Sequence, residues 1–324
     1  MLDRQPLDEN FAFFDLTRAA DNCHAELLDG LCRSKKFIAA KYFYDDRGST
    51  LFEQITREPE YYPTRTEMAI LADQGAAIAA RIGPQATLIE PGSGNSDKAR
   101  LLLPKLNARS YVPMDISRQH LYQASRDIAR DFPSLQVAAV CADYTSATAL
   151  PAIVPQHKRV IFYPGSTIGN FEPAAAQAFL TRLRRWAGAD GALLVGVDLD
   201  KQTHLLDAAY NDANGTTAAF NLNILHNVNG VLDANFDPDN FAHKAFYNRQ
   251  QQRVEMHLLS LREQYVDFDK GTLALLKGET IRTEYSYKYS PEGFAALARR
   301  AGFSVTDAWQ DEQGWFGVCY LNAV

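Results

Sequence analysis

The stretch TLIEPGSGNSDKARLLL (87–103) places an acid, Glu90, at the end of a short apolar run. Two glycines follow at 92 and 94, and then an amphipathic segment. Glycines there let the chain turn sharply and let a ligand approach the backbone, while a helix behind them aims its unpaired N–H groups back at the turn. A full dinucleotide fingerprint needs a third glycine, which packs helix closely against strand. Asp97 occupies that position.

Further acids end the next apolar runs, Asp115 in YVPMDIS and Asp143 in AVCADYT. Asp115 lies 23 positions after Gly92 (115 − 92), where a carboxylate can take both hydroxyls of a ribose. Asp143 is placed to accept from an adenine amino group, with Tyr144 packed on the ring. Each acid alone reads equally well as a helix cap or a solvated loop end. Three in succession suit a cationic nucleoside better than a pyrophosphate. S-adenosylmethionine, with a sulfonium and no phosphate, meets that description, and a nicotinamide cofactor is the competitor.

These residues need a frame. Strand-like runs at Thr87–Ile89, Tyr111–Met114, Val137–Cys141, Val160–Tyr163 and Leu193–Val197 alternate with helical runs at Lys98–Leu106, Ser117–Asp131 and Ala174–Trp186. That rhythm predicts an α/β fold with a doubly wound, mostly parallel sheet whose ligands bind at the carboxyl ends of the strands. A helix is expected over Glu67–Arg81, with YYPTR before it extended, because Pro63 biases Tyr62 away from helix. Beyond Asp198 the rhythm stops. A helical stretch with turn signals at Asn214-Gly215 and Asn229-Gly230 gives way to the β-rich runs RVEMHLLSL, EQYVDF and TLALLKGETI. A late helix (Pro291–Ala301) and two closing strands return the chain to the sheet. The expected organisation is a cofactor domain from 63–198 plus 287–324 and a discontinuous α+β substrate domain from 1–62 plus 199–286.

Composition narrows the partners. The formal charge of −6 gives no basic footprint for nucleic acid. No apolar run is long enough to span a bilayer, and the N-terminus lacks the basic start and apolar core of a signal peptide. The four cysteines form no C-x-x-C pair and the seven histidines no H-x-x-x-H, so no metal is assigned. A cytoplasmic, monomeric protein acting on a small molecule is the expectation.

Longer signatures then add to this reading: KYFYDDRGSTLFEQITREPEYYPTRTE (41–67), EPGSGNSDK (90–98), FYPGSTIGNFEP (162–173), AAYNDANGTTAAFNLNIL (208–225) and IRTEYSYKY (281–289). In order and spacing, from about Lys41 to the C-terminus, they resemble the ergothioneine-pathway L-histidine Nα-methyltransferases. These use S-adenosylmethionine to make trimethylhistidine (hercynine) on a Rossmann-like methyltransferase fold. Pro91 departs from the leucine expected in that motif and removes a backbone donor.

The resemblance implies cofactor contacts at Gly92, Lys98, Asp115, Asp143 and Tyr144. It implies substrate contacts at Tyr61, Gly165, Asn170, Tyr210, Met256, Glu284 and Ser286, with Tyr44, Asn170 and Tyr210 in the catalytic positions. In those roles Asn170 and Tyr210 would donate to the substrate carboxylate. Glu284 and Ser286, two apart on a strand, would share one face and engage the two imidazole nitrogens. From spacing alone such a pair reads as a solvent face. Tyr44 and Tyr61 are suited to walling a methylated ammonium. A relative acting on tryptophan or a histidine derivative, a nicotinamide oxidoreductase and a non-catalytic nucleoside sensor are the alternatives.

Overall fold

The computed structural model describes residues 10–16, 21–146, 149–269 and 271–324. Strand β1 (Phe11–Asp15) precedes helices α1 (Asp21–Leu31), α2 (Asp46–Ile55) and α3 (Tyr62–Ile82). The alternating part follows as β2 (Thr87–Pro91), α4 (Asp97–Leu102), β3 (Ser110–Asp115), α5 (Arg118–Asp131), β4 (Gln136–Cys141), β5 (Arg159–Tyr163), α6 (Pro173–Ala187) and β6 (Ala192–Asp198). Next come α7 (Thr203–Ala209), α8 (Thr216–Leu232), β7 (Phe241–Asn248), β8 (Arg253–Ser260), β9 (Gln264–Phe268), β10 (Gly271–Leu275) and β11 (Thr280–Tyr287). Helix α9 (Pro291–Arg300) and strands β12 (Phe303–Gln310) and β13 (Phe316–Ala323) close the chain.

Two compact units result: one takes in β1, Pro63–Asp200 and Lys288–Val324, the other α1 through Tyr62 and Lys201–Tyr287. In the first, the described strands form a sheet in the order β1-β4-β3-β2-β5-β6-β13-β12. Strands β1 to β6 run parallel, and β13 is antiparallel to both its neighbours. Leu88 packs to one side with Ile70, Leu121 and Ile128, and Ile89 to the other with Phe179, Leu183 and Phe294. Helices covering both faces bury every residue of β2, Glu90 included, where burial along a half-exposed strand would alternate. From β2 the chain steps outward to β3 and β4, then resumes on the other side with β5 and β6. Their boundary is the topological switch point, where doubly wound sheets bind ligands.

Three local expectations change. Strand β1 pairs residue for residue with β4, from Phe11↔Val137 to Asp15↔Cys141, so this part of 1–62 belongs to the large sheet and not to the substrate domain. A five-residue strand whose partner is more than a hundred residues away leaves no local sign of that pairing. Residues 1–9 and 17–20 of the same assignment lie outside the described residues. Helix α3 starts at Tyr62, because Pro63 falls in its first turn, where the missing N–H costs no intrahelical bond. Helix α8 runs through Asn229-Gly230 and stops at Asp233, in the left-handed region at φ 49°. Asn229 instead brackets Phe236, donating to its carbonyl at 2.7 Å and accepting its N–H at 2.8 Å.

In the second unit β8 is central in an antiparallel sheet, β11-β8-β7. The run TLALLKGETI is split between β10 and β11, with Gly278 at φ +86° turning the chain between them. Strand β7 (FAHKAFYN) had no counterpart in the sequence reading, since its apolar residues neither alternate cleanly nor form a run.

Candidate active site

At the carboxyl ends of β2 to β5, Gly92 and Gly94 both have positive φ (+73° and +52°). The N–H groups of Gly92 and Ser93 donate to Met114 O at 2.7 and 3.1 Å, stitching the turn to β3. Pro91 ends its strand opposite Met114, and the residues after it supply the donors it lacks. Tyr144 lies over the turn: a Cβ on Gly92 would stand 3.1 Å from its hydroxyl oxygen.

Asp115 Oδ2 accepts the Gly94 N–H at 3.0 Å and Oδ1 the Ser117 N–H at 3.0 Å. Burial raises the pKa of this carboxyl. Asp143 Oδ1 accepts the Thr145 N–H at 2.8 Å. Lys98, on α4, holds its Nζ 2.7 Å from Glu67 Oε2, and the Gly165 N–H donates to the same carboxylate at 2.8 Å. Asn170 closes a 3₁₀ turn (Thr167–Asn170) and is half-buried. The structure thus gathers Gly92, Lys98, Asp115, Asp143, Tyr144, Gly165 and Asn170 in the first unit.

Two features test whether S-adenosylmethionine suits this place. Ser93 Oγ, between the two glycines, is buried without a hydrogen-bond partner, and the space beside Gly94 is open. An orphaned hydroxyl in an open turn, with Asp115 bonded to that turn and Lys98 on the helix that follows, fits a ligand bearing hydroxyls, a cation and a carboxylate. The donor has all three.

Glu90 departs from its expected role among the strand-end acids. It is 1 % exposed and accepts the Tyr111 hydroxyl, which also lies 2.9 Å from Ser96 Oγ. Burial pushes its pKa up to about 8, against the opposing effect of Tyr111 and Lys98. The folded protein therefore holds this proton more tightly than the unfolded chain does. Stability falls as pH rises from the ordinary carboxyl range through about 8. Thermal unfolding of the ligand-free protein across that window should show the decline, and Glu90→Gln should flatten it. An unchanged slope in the variant would place the proton elsewhere.

In the second unit the aromatic residues form a chain of ring contacts. Tyr44 meets Phe52 (centroids 5.8 Å apart), Phe52 meets Tyr61 (6.3 Å) and Tyr61 meets Tyr210 (6.4 Å), all edge to face. The Tyr210 hydroxyl, expected to serve a carboxylate, here donates to Ser286 Oγ at 2.8 Å. Glu284 lies directly opposite Met256, and Ser286 opposite Val254. Residues directly opposite in an antiparallel pair project to the same side. Met256, Val254 and Ser286 are buried and Glu284 is half-buried, so Glu284 and Ser286 share an inward face.

That parity depends on an irregularity. Ile281 pairs with Leu258, yet Glu284 pairs with Met256, so three residues on β11 span two on β8. A bulge of this kind re-aims the side chains beyond it. Tyr285 is left on the opposite face, 3.5 Å beneath the Arg253 guanidinium. Sequence reasoning missed Phe52 and Phe220 beside the tyrosines, and Glu67 beside Lys98. For Glu67 the only available signal was its place at the end of the first long motif.

Residues 23–323 match the family described as "Histidine-specific methyltransferase, SAM-dependent". The chain belongs to that family. It is an S-adenosylmethionine-dependent N-methyltransferase, and the nicotinamide alternative falls away. It is 40% identical over 306 residues to a protein of Mycolicibacterium smegmatis named "Histidine N-alpha-methyltransferase", covering 93% of this chain and 94% of that one. It is 29% identical over 287 residues to "Ergothioneine biosynthesis protein 1" of Neurospora crassa, covering 82% of this chain and 31% of that longer protein. Among solved structures, an S-adenosylmethionine-dependent methyltransferase from Clostridium acetobutylicum shares the methyltransferase's fold at 10% identity, with a TM-score of 0.50 over 85% of this chain and 98% of that one. No helix among the described residues is long and apolar enough to cross a membrane.

Proposed function

We propose that the chain trimethylates the α-amino group of L-histidine to give hercynine, as the first step of ergothioneine formation. The observation that carries this reading is the inward pair Glu284 and Ser286 beside the Tyr210 hydroxyl. A carboxylate that accepts one imidazole N–H and a hydroxyl that satisfies the other ring nitrogen suit histidine. Tryptophan offers a single donor and no ring acceptor, which would leave part of such a site unpaired. The name of the 40% identical relative lends the α-nitrogen as the site of transfer, and that of the fungal relative lends the pathway.

Bound S-adenosylmethionine supplies an electrophilic methyl group on a sulfonium. Gly92, Lys98, Asp115, Asp143 and Tyr144 would hold and orient it. Tyr61, Gly165, Asn170, Tyr210, Met256, Glu284 and Ser286 would bind the amino acid, with Tyr44, Asn170 and Tyr210 nearest the amine. An ammonium has no lone pair, so a proton must leave before each transfer, and a neighbouring sulfonium disfavours that proton by like-charge repulsion. As methyls accumulate the product becomes a bulky cation that tyrosine faces accommodate. On this reading the protein works as a cytoplasmic monomer on a small molecule. Its charge of −6 supports the absence of a nucleic-acid partner. Quantifying S-adenosylhomocysteine released per histidine consumed tests the extent of reaction: about three equivalents are expected from three transfers to one nitrogen, and one equivalent at exhaustion would contradict trimethylation.

A further inference from the structure

Glu67 is a carboxylate with no role in the reading above, buried in the first unit at 1 % exposure. It projects from α3, outside the alternating part of the chain, and joins two segments that flank the switch point. Its Oε2 lies 2.7 Å from Lys98 Nζ, on the helix following β2. Its two oxygens lie 3.1 and 2.8 Å from the Gly165 N–H, in the turn following β5. Gly165 has φ +82° and Ser166, next in the chain, φ 55°, so this turn is held in a conformation that few residues adopt unaided.

The fold makes room for this acid. A Cβ on Gly196, in the middle of β6, would stand 1.9 Å from Glu67 Oε1. Any side chain at 196 would displace the carboxylate. An acid desolvated to this degree is tolerated only when it is paired and hydrogen-bonded, and Lys98 and Gly165 provide both. For Lys98 the consequence is order: an ammonium on a flexible four-carbon stem gives up rotamer freedom before any ligand arrives.

We propose that Glu67 is a positioning residue that fixes Lys98 for the α-carboxylate of the donor's methionyl end and locks the Gly165 turn beside it. The proposal rests on the assignment of Lys98 to the donor. It predicts that affinity for the amino-acid end of the ligand depends on Glu67, whereas affinity for the adenosine end does not.

Calorimetric titration with two probes reads the two ends separately. S-adenosylhomocysteine carries the α-carboxylate, and 5′-methylthioadenosine lacks the amino-acid portion. Glu67→Gln keeps an oxygen for the Gly165 N–H but cannot ion-pair with Lys98. We expect it to weaken S-adenosylhomocysteine about tenfold or more, the scale of a lost charge-assisted contact, and methylthioadenosine less than about twofold. Gly196→Ala, which displaces the same carboxylate from the other side, should reproduce that split, and it decides the matter if Glu67→Gln fails to fold. In a Lys98→Met background, Glu67→Gln should add nothing, because the two residues act as one.

Equal loss on both probes would reduce Glu67 to a structural role and overturn the proposal, as would unchanged or tighter S-adenosylhomocysteine binding. If Lys98→Met alone left S-adenosylhomocysteine affinity intact, the assignment of Lys98 would fall and the proposal with it. A loss with Lys98→Met but none with either Glu67→Gln or Gly196→Ala would sink the proposal alone.

Discussion

Replacing Glu284 by alanine is expected to weaken histidine binding by about 5- to 150-fold, the effect of leaving a buried hydrogen-bonding group of the ligand unsatisfied, about 1–3 kcal/mol. Selectivity should fall as well. Wild-type protein should reject phenylalanine, whose ring offers neither donor nor acceptor to Glu284 and Ser286, and tryptophan, whose indole offers one donor and no acceptor. Alanine removes the acid's share of that penalty for phenylalanine, so the ratio of histidine to phenylalanine affinity should shrink more than histidine affinity alone would suggest. Donor affinity should be unaffected. Titrating the variant with each amino acid in the presence of S-adenosylhomocysteine measures all three quantities. Retained affinity and selectivity would mean that the imidazole lies elsewhere.

The largest expected effect on stability comes from Lys288→Met. Lys288 Nζ sits 2.7 Å from Asp198 Oδ2 at the end of β6, and both side chains are 1 % exposed. Removing one partner of a buried ion pair typically costs about 3–5 kcal/mol. The Asp198 backbone N–H donates to Ser166 Oγ at 2.8 Å, so disturbance there reaches the turn after β5. Adding Asp198→Asn to Lys288→Met should recover most of the loss, since a neutral pair of similar volume no longer carries the desolvation cost of a buried carboxylate. Scanning calorimetry of the two variants decides this. A Lys288→Met variant within about 1 kcal/mol of wild type would show that the pair contributes little.

The sequence made the parallel sheet legible because its signals are local. Runs such as YVPM and VIFY, each followed by a helical stretch, mark buried strands and their crossovers without reference to distant residues. The strand-end positions of Asp115 and Asp143 follow directly from that reading. Long-range pairing was not legible. Strand β1 is placed by β4, and the buried pair of Lys288 with Asp198 is placed by the return of the chain to the sheet. Glu90 shows the same limit in chemistry: its position at a strand end was visible, but the Tyr111 hydroxyl that caps it came from the neighbouring strand.

The second unit shows how little parity can be trusted across a bulge. Alternation places Glu284 and Ser286 on one face, but which face is set by the extra residue before Glu284. Counted without it, Glu284 and Ser286 would project opposite to Ile281 and Thr283, both fully buried. With it, they turn toward the side where Tyr210 lies. No composition rule announces that residue; only the register with β8 does.

On the proposed reading this methyltransferase selects histidine through an acid and a hydroxyl on that inward face and methylates its α-nitrogen. Mass spectrometry of the purified protein incubated with S-adenosylmethionine and an equimolar mixture of the twenty amino acids tests it most directly. We expect histidine alone to gain methyl groups, accumulating as the trimethyl form with fragmentation that places all of them on the α-nitrogen. Methylation of a different amino acid, or of an imidazole nitrogen, would contradict it.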